Sequence, residues 1–154
     1  MSIRKYIFTY TFILFSNLLS AQYLIAVGLR GGLHSGIGFR HMLTNDTALE
    51  GILHSRWHGV ELVGLIEYQQ DLSSDGLYWY YGYGAHAGFY DNKYTYWEPD
   101  GNTTVIGIDG ILAIEYKFFN APVAIAMDWK PYFNLLGNTG FFGNGGAISL
   151  RFTF

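Results

Sequence analysis

Five histidines offer the widest choice of chemistry in this chain, because imidazole binds metals and transfers protons near neutral pH. They are His34, His41, His54, His58 and His86. No pair has the spacing of a helical zinc motif, and the chain has no cysteine that could complete a site. We therefore expect no bound metal and no cofactor. Instead, we expect His54 and His86 to lie on the polar side of strands and His34 and His58 to lie at hairpins.

Acyl transfer requires a serine, a histidine and an acid held close together, and His34, Ser35 and Asp91 are the candidates for this role. These residue types are common, so only their geometry could identify a catalytic site. The chain has no Gly-x-Ser-x-Gly turn. Its Gly-rich stretch 137–146 lacks the lysine and the following helix of a phosphate-binding loop. The sequence therefore predicts that the protein is not an enzyme.

A long polar segment, residues 91–103, combines acidic and aromatic side chains that could contact a cation or a saccharide. The candidate contact residues are Tyr94, Tyr96, Trp97 and Asp100. The segment lacks the alternating Asp and Asn ligands of an EF-hand loop, which argues against calcium. Exposed aromatic rings in a long loop fit an adhesive or ligand-binding role, since loops carry function more often than scaffolds do. The sequence does not identify the ligand.

The elements that position these residues are predicted to be β-strands. The chain of 154 residues is 50% hydrophobic, 19% aromatic and only 14% charged, and it has 20 glycines. This composition excludes disorder and helical bundles and favours one all-β domain with tight turns. Hydrophobic and polar residues alternate with period two along eight segments. These lie near residues 23–31, 35–43, 47–56, 59–69, 76–90, 104–118, 122–133 and 145–154.

The alternation separates an apolar face from a face of small and charged residues, and two architectures share this pattern. A soluble sandwich or barrel buries the apolar face, whereas a membrane barrel turns it to lipid and its polar face to the lumen. Three features favour the membrane barrel. The segments have 9 to 15 residues, whereas soluble strands average about 5–6. The polar face carries Gly and Ala beside charges of both signs, and Tyr and Trp lie near the strand ends.

The amino terminus has the layout of a secretory signal peptide, with Arg4 and Lys5 before an uncharged stretch and small residues at Ser20 and Ala21. We expect residues 1–21 to be cleaved and residues 22–154 to form the barrel domain. The alternative is an uncleaved anchor, because no charge occurs over the 24 residues from Tyr6 to Leu29. Cleavage would leave 7 basic and 12 acidic residues, a formal charge of −5, which argues against nucleic acid as a partner.

A barrel of eight strands would place its charged residues in a narrow lumen. Six acidic and five basic residues are expected there, and such a near balance is required because an unpaired buried charge is costly. The sequence therefore predicts a plugged lumen filled by ion pairs rather than an open pore. The expected network is Arg30, Arg40, Glu50, Glu61, Glu67, Asp109, Glu115, Lys117, Asp128, Lys130 and Arg151.

The carboxyl-terminal segment Gly145–Phe154 resembles the last strand of bacterial outer-membrane β-barrels, with Leu150, Phe152 and Phe154 matching the alternating pattern that ends on an aromatic residue. With the leader and eight segments, the chain is similar to the small eight-stranded outer-membrane proteins such as the OmpA transmembrane domain and OmpX. The resemblance implies an antiparallel up-and-down transmembrane β-barrel in the outer membrane of a Gram-negative bacterium. Its expected partners are outer-membrane lipid and the barrel assembly machinery, which reads the last strand.

The resemblance leaves the physiological role open between a structural, an adhesive and an unassigned function in the envelope. It implies no wall-anchoring role, since the chain carries no peptidoglycan-binding domain. The two longest connections, 91–103 and 134–144, would both be extracellular, because they lie on the side opposite the chain termini. Two alternatives remain: a secreted lipocalin-like barrel that binds an apolar ligand, and a PagP-like lipid acyltransferase that would use His34, Ser35 and Asp91.

Overall fold

The structure is a computed structural model that describes residues 24–56, 58–91 and 103–154. These residues form strands and turns, and no helix among them is long and apolar enough to cross a membrane. The strands are β1 (Ile25–Gly32), β2 (Gly36–Met42), β3 (Thr47–Arg56), β4 (Gly59–Asp71), β5 (Leu77–Tyr90), β6 (Thr103–Lys117), β7 (Val123–Trp129), β8 (Tyr132–Leu136), β9 (Gly140–Phe142) and β10 (Gly146–Thr153).

The ten strands form a closed antiparallel barrel. Two pairs of strands are interrupted segments of a single strand position, so the barrel has eight strand positions, which we call staves. Neighbours in sequence pair from β1 to β6, and β10 pairs with both β7 and β1, which closes the sheet. Both β7 and β8 pair with β6, so they are two parts of one stave. Pro131 interrupts this stave because proline has no amide hydrogen to donate. The eighth stave is likewise β9 followed by β10. The eight-stranded antiparallel barrel predicted from the sequence is confirmed.

One connection differs from the sequence prediction. Residues 134–144 were expected to form a loop, but they contain most of the hairpin between β8 and β9. Gly137 and Asn138 have positive φ angles of 70° and 48°, and two successive positive φ angles are typical of the turns that join hairpin strands. Gly137 and Asn138 therefore mark a tight turn that joins the seventh stave to the eighth.

The strands are strongly tilted relative to the barrel axis. Following directly paired residues once around the barrel from β6 leads back to β6 at a position ten residues away. The successive residues are Ile106, Ala87, Leu62, Leu53, Ile37, Leu29, Leu150, Ile125 and Tyr116. A stagger of this size around eight strands corresponds to a tilt of about 40°. The tilt matters for the interior, because it brings side chains from non-adjacent strands to the same height.

The apolar face of the sheet lies outside. Ile106, Ile125 and Leu150 are 44%, 42% and 43% exposed. Each of the ten strands carries at least one exposed large hydrophobic residue. Along β6 the apolar residues from Ile106 to Tyr116 cover about 25 Å of the barrel axis at this tilt. The barrel is therefore inverted relative to a soluble one, with its polar residues enclosed by the sheet.

The turn between β2 and β3 contains a carboxylate that accepts two hydroxyl hydrogen bonds. Thr44 Oγ1 donates to Asp46 Oδ1 at 2.6 Å and Thr47 Oγ1 donates to the same atom at 3.2 Å. Both bonds favour the charged carboxylate and lower the pKa of Asp46 below its usual value of 3.8, with the Thr44 bond as the larger cause. The stabilisation that Asp46 gives the turn is therefore present above pH 3.8 and is lost as the pH falls through the folded-state pKa.

Replacement of Thr44 by valine should raise the pKa of Asp46 towards 3.8, because it removes the stronger of the two hydrogen bonds. The matched variant Thr47→Val should raise it less, since that bond is longer. Carboxyl NMR titration of the folded protein in detergent micelles measures both shifts. Equal shifts, or no shift in either variant, would contradict this account of the turn.

Candidate functional site

The interior of the barrel is the candidate functional site, because the charged side chains converge there. Of the eleven charged residues expected in the lumen, ten are buried and Lys117 is half-buried at the end of β6. Alternation along each strand directs them inward, and glycines make room between them. A Cβ added to Gly38 would lie 3.1 Å from Glu50 Oε1, and one added to Gly82 would lie 3.0 Å from the Glu67 side chain. Small and long residues therefore interleave.

A first set of ion pairs, the terminal-side network, occupies the half of the lumen nearest Leu24 and Phe154, the ends of the described chain. It consists of Arg40, Glu50, Glu67, Glu115 and Arg151. Arg40 Nε lies 2.8 Å from Glu67 Oε2, and Arg40 Nη1 lies 3.2 Å from Glu115 Oε2. Arg151 Nη1 lies 2.5 Å from the same Glu115 oxygen, and Arg151 Nη2 lies 2.9 Å from Glu50 Oε1. The two arginines thus bridge carboxylates from three strands.

Tyr80 completes the terminal-side network, although it is not among the residues predicted to line the lumen. Arg151 Nη2 donates to the Tyr80 hydroxyl oxygen at 3.0 Å. The guanidinium of Arg40 lies 4.4 Å from the centre of the tyrosine ring and that of Arg151 lies 5.5 Å from it, which are distances of cation–π interactions. The signal was present in the sequence, because Tyr80 lies on the small and polar side of the β5 alternation.

A second set, the mouth network, lies towards the opposite end of the lumen. It consists of His86, Asp109, Lys130 and Asn134. His86 Nδ1 lies 2.7 Å from Asp109 Oδ2, and His86 Nε2 lies 3.0 Å from Asn134 Oδ1. Lys130 forms a close ion pair with the other Asp109 oxygen. Asp109 therefore holds two basic side chains, and Asn134 was not foreseen because the sequence placed it in a loop.

His34 and His54 lie near the mouth network, and the side chain of His34 is buried although the residue lies in the turn between β1 and β2. His34 is only 6% exposed, and its ring lies 5.3 Å from that of His54 and 5.5 Å from that of Tyr132. It points into the barrel because the short turn after β1 continues the alternation of that strand. His58, by contrast, is exposed in its turn. Neither ring nitrogen of the buried His54 has a hydrogen-bond partner among the described residues.

The remaining charges form local pairs along the lumen wall. Arg30 and Asp128 make a close two-point ion pair, with Nη1 2.7 Å from Oδ2. The Tyr90 hydroxyl donates to Glu61 Oε2 at 2.8 Å. Lys117 lies 3.8 Å from Glu115 and 4.0 Å from the ring centre of Tyr78. Among the described residues, no three His, Cys, Asp or Glu side chains cluster so as to hold a metal ion.

The candidate acyl-transfer residues are placed as follows. The Ser35 hydroxyl donates to the Gly32 carbonyl oxygen at 3.0 Å within its own turn. The His34 ring packs against His54 and Tyr132 inside the barrel. Asp91 is exposed just after the end of β5. Ser35 is thus used in stabilising a hairpin turn.

The other candidate residues divide between the outer surface and the undescribed part of the chain. Leu150, Phe152 and Phe154 point outward and are exposed. The backbone of Phe154 exchanges hydrogen bonds with Leu24 and Ile25, which ties the last stave to the first. The proposed loop contacts Tyr94, Tyr96, Trp97 and Asp100, and the expected signal peptide 1–21, lie outside the described residues.

A protein of known structure shares the fold of this chain but little of its sequence. No protein-family model matches the chain, and a search of curated proteins finds no match. Among solved structures, the chain is similar to the N-terminal β-barrel domain of Pseudomonas aeruginosa OprF, with a TM-score of 0.62. The two chains are 16% identical, and the alignment covers 84% of this chain and 95% of the OprF domain. This likeness establishes the barrel fold.

Arg151→Ala should lower the free energy of unfolding by about 3–5 kcal/mol, because Glu50 and Glu115 would each lose a buried ionic partner. The control Lys117→Ala should cost about 1 kcal/mol or less, since this lysine is partly solvated at the rim. Denaturant unfolding of the protein in phospholipid vesicles measures both values. Equal losses in the two variants would show that the terminal-side network has no special part in stability.

Proposed function

We propose that this protein is a small outer-membrane β-barrel protein with an ion-paired, closed lumen and a structural or adhesive role in the envelope. The observation that carries the proposal is the inversion of the barrel, with charges enclosed and apolar residues exposed on every strand. Water would be a poor solvent for such an exterior, whereas hydrocarbon would be a good one. The apolar run on β6 covers about 25 Å, which equals the height of the lipid-facing band of outer-membrane barrels.

The inversion argues against a secreted lipocalin-like barrel. Such a barrel would need an apolar interior to hold an apolar ligand, but the two networks fill this lumen with charged side chains. Its exterior would also have to be soluble in water. Soluble monomers rarely expose apolar patches of more than a few hundred Å², and the exposed hydrophobic residues here occur on all staves.

The proposal assigns no catalytic activity to the barrel and places any contact with other molecules at its ends. In the outer membrane the longer connections would face outward, and the loop with Tyr94, Tyr96, Trp97 and Asp100 would provide an adhesive contact. The outward side chains of Leu150, Phe152 and Phe154 would be accessible to the assembly machinery before the first stave closes against them. Lipid of the outer membrane would contact the rest of the exterior.

The location and the closed lumen can be tested together on the full chain expressed in a Gram-negative host. We expect the protein in the outer-membrane fraction, with a faster-migrating folded form on unheated detergent gels. We also expect no stable channels when it is reconstituted into planar bilayers. A protein that remains monodisperse in buffer without detergent would refute the membrane location, and stable large channels would refute the closed lumen.

The lipid-facing surface should respond to charge according to depth. Leu112→Arg places a charge in the middle of the apolar run of β6 and should destabilise the protein by about 2–4 kcal/mol. Ile106→Arg places the same charge at the end of the run and should cost about 0–1 kcal/mol. Unfolding in phospholipid vesicles measures both costs, and equal costs would contradict a bilayer centred on this belt.

A further inference from the structure

Four apolar side chains interrupt the polar interior of the barrel halfway along the lumen. They are Ile52, Val63, Leu65 and Ile111, and we call them the septum. Each is at most 4% exposed, and all belong to one buried hydrophobic cluster. They face inward, so lipid contact cannot explain them. An apolar layer inside a lumen otherwise filled by charges requires a separate explanation.

The sequence of each septum strand places the apolar layer between the two networks. On β3, Ile52 lies between the inward-facing Glu50 and His54. On β6, Ile111 and the small Ala113 lie between Asp109 and Glu115. In both strands the order from the terminal side is charged, apolar and then polar again.

The third strand, β4, repeats this order. Its inward residues are Glu67, Leu65, Val63 and Glu61 in order from the terminal side. Three strands that differ in sequence thus place apolar residues at the same level. The level separates the terminal-side network from the mouth network.

The septum side chains can meet because the strand between them carries no side chains at that level. Ile52 and Val63 are directly paired on β3 and β4. Leu65 and Ile111 are separated by β5, whose inward positions there are Gly82 and Gly84. The side chains of Leu65 and Ile111 therefore extend over these glycines and join one cluster.

The opposite side of the lumen at this level holds the Arg30–Asp128 ion pair. Its partners are joined by two hydrogen bonds, and both side chains are buried. Their charges neutralise each other locally. On β3, β4 and β6 the nearest inward-facing charged residues lie two positions from a septum residue, and they are Glu50, Glu61, Glu67 and Asp109.

We propose that the septum is the permeation barrier of this lumen and that the two ion-pair networks bound hydrated chambers on either side of it. The inference rests on the closed lumen of the proposed function and assigns the closure to apolar residues. A narrow apolar layer excludes water and therefore ions, which is how hydrophobic constrictions close channels. Charged side chains that share partners in a network still attract water and leave a polar path when one rearranges. Arg30 and Asp128, by contrast, are held to each other by two hydrogen bonds.

The test compares a double substitution in the septum with a double substitution that removes one ion pair. Leu65→Ser/Ile111→Ser shortens two septum side chains and adds hydroxyls. Arg40→Ala/Glu67→Ala removes a neutral ion pair from the terminal-side network and leaves the septum intact. Salt flux through liposomes containing each full-length variant is measured beside wild type, after folding is verified by gel migration without heating.

We expect the septum variant to raise salt flux by about tenfold or more over wild type, and the ion-pair variant to remain at the wild-type level. Increased flux only in the ion-pair variant, or in neither folded variant, would overturn the septum proposal and leave the closed lumen standing. Conducting wild-type protein would instead refute the closed lumen itself. If the double serine variant does not fold, Ile111→Ala alone provides the same comparison against Arg40→Ala/Glu67→Ala.

Discussion

A lumen bounded by eight strands is only wide enough for side chains, and charges enclosed in it must find partners within that space. This constraint explains most of the interior. Arg151 reaches carboxylates on two other strands, and Asp109 binds both His86 and Lys130. Glycines beside the long side chains provide the volume that these pairs occupy. An inward-facing charge without a partner is costly to bury. Each charged residue that the strand alternation directs inward therefore needs an oppositely charged residue within reach.

The sequence predicted the staves and their faces because both follow from local alternation. A residue on an extended strand points to the side opposite its neighbours, whatever the rest of the chain does. All eleven charged candidates lie on the inward side for this reason, including the residues of the interrupted seventh stave. Local alternation also separated Ile111 from its neighbours, since it is apolar on a face that is otherwise small and charged.

The ion-pair partners could not be predicted, because they depend on the stagger of the whole barrel. Arg40 on β2 meets Glu67 on β4 and Glu115 on β6, which are not its strand neighbours. A shift of two residues in any one register would exchange these partners without changing a single face. The hairpin of β8 and β9 was missed for a different reason. Its Gly and Asn residues are the same in a loose loop and in a tight turn with positive φ.

In the proposed closed lumen, the two polar networks and the septum would act in different ways. Ion pairs neutralise the long side chains that line a narrow barrel. In the terminal-side network they share partners, as the contacts of Glu115 with Arg40 and Arg151 illustrate. Apolar side chains have no polar groups with which water could form hydrogen bonds. We therefore expect the Ile, Val and Leu side chains of the septum to exclude water whichever pairing the charges adopt. The proposed barrier therefore lies where the inward charges are reduced to the Arg30–Asp128 pair, and not where they are most numerous.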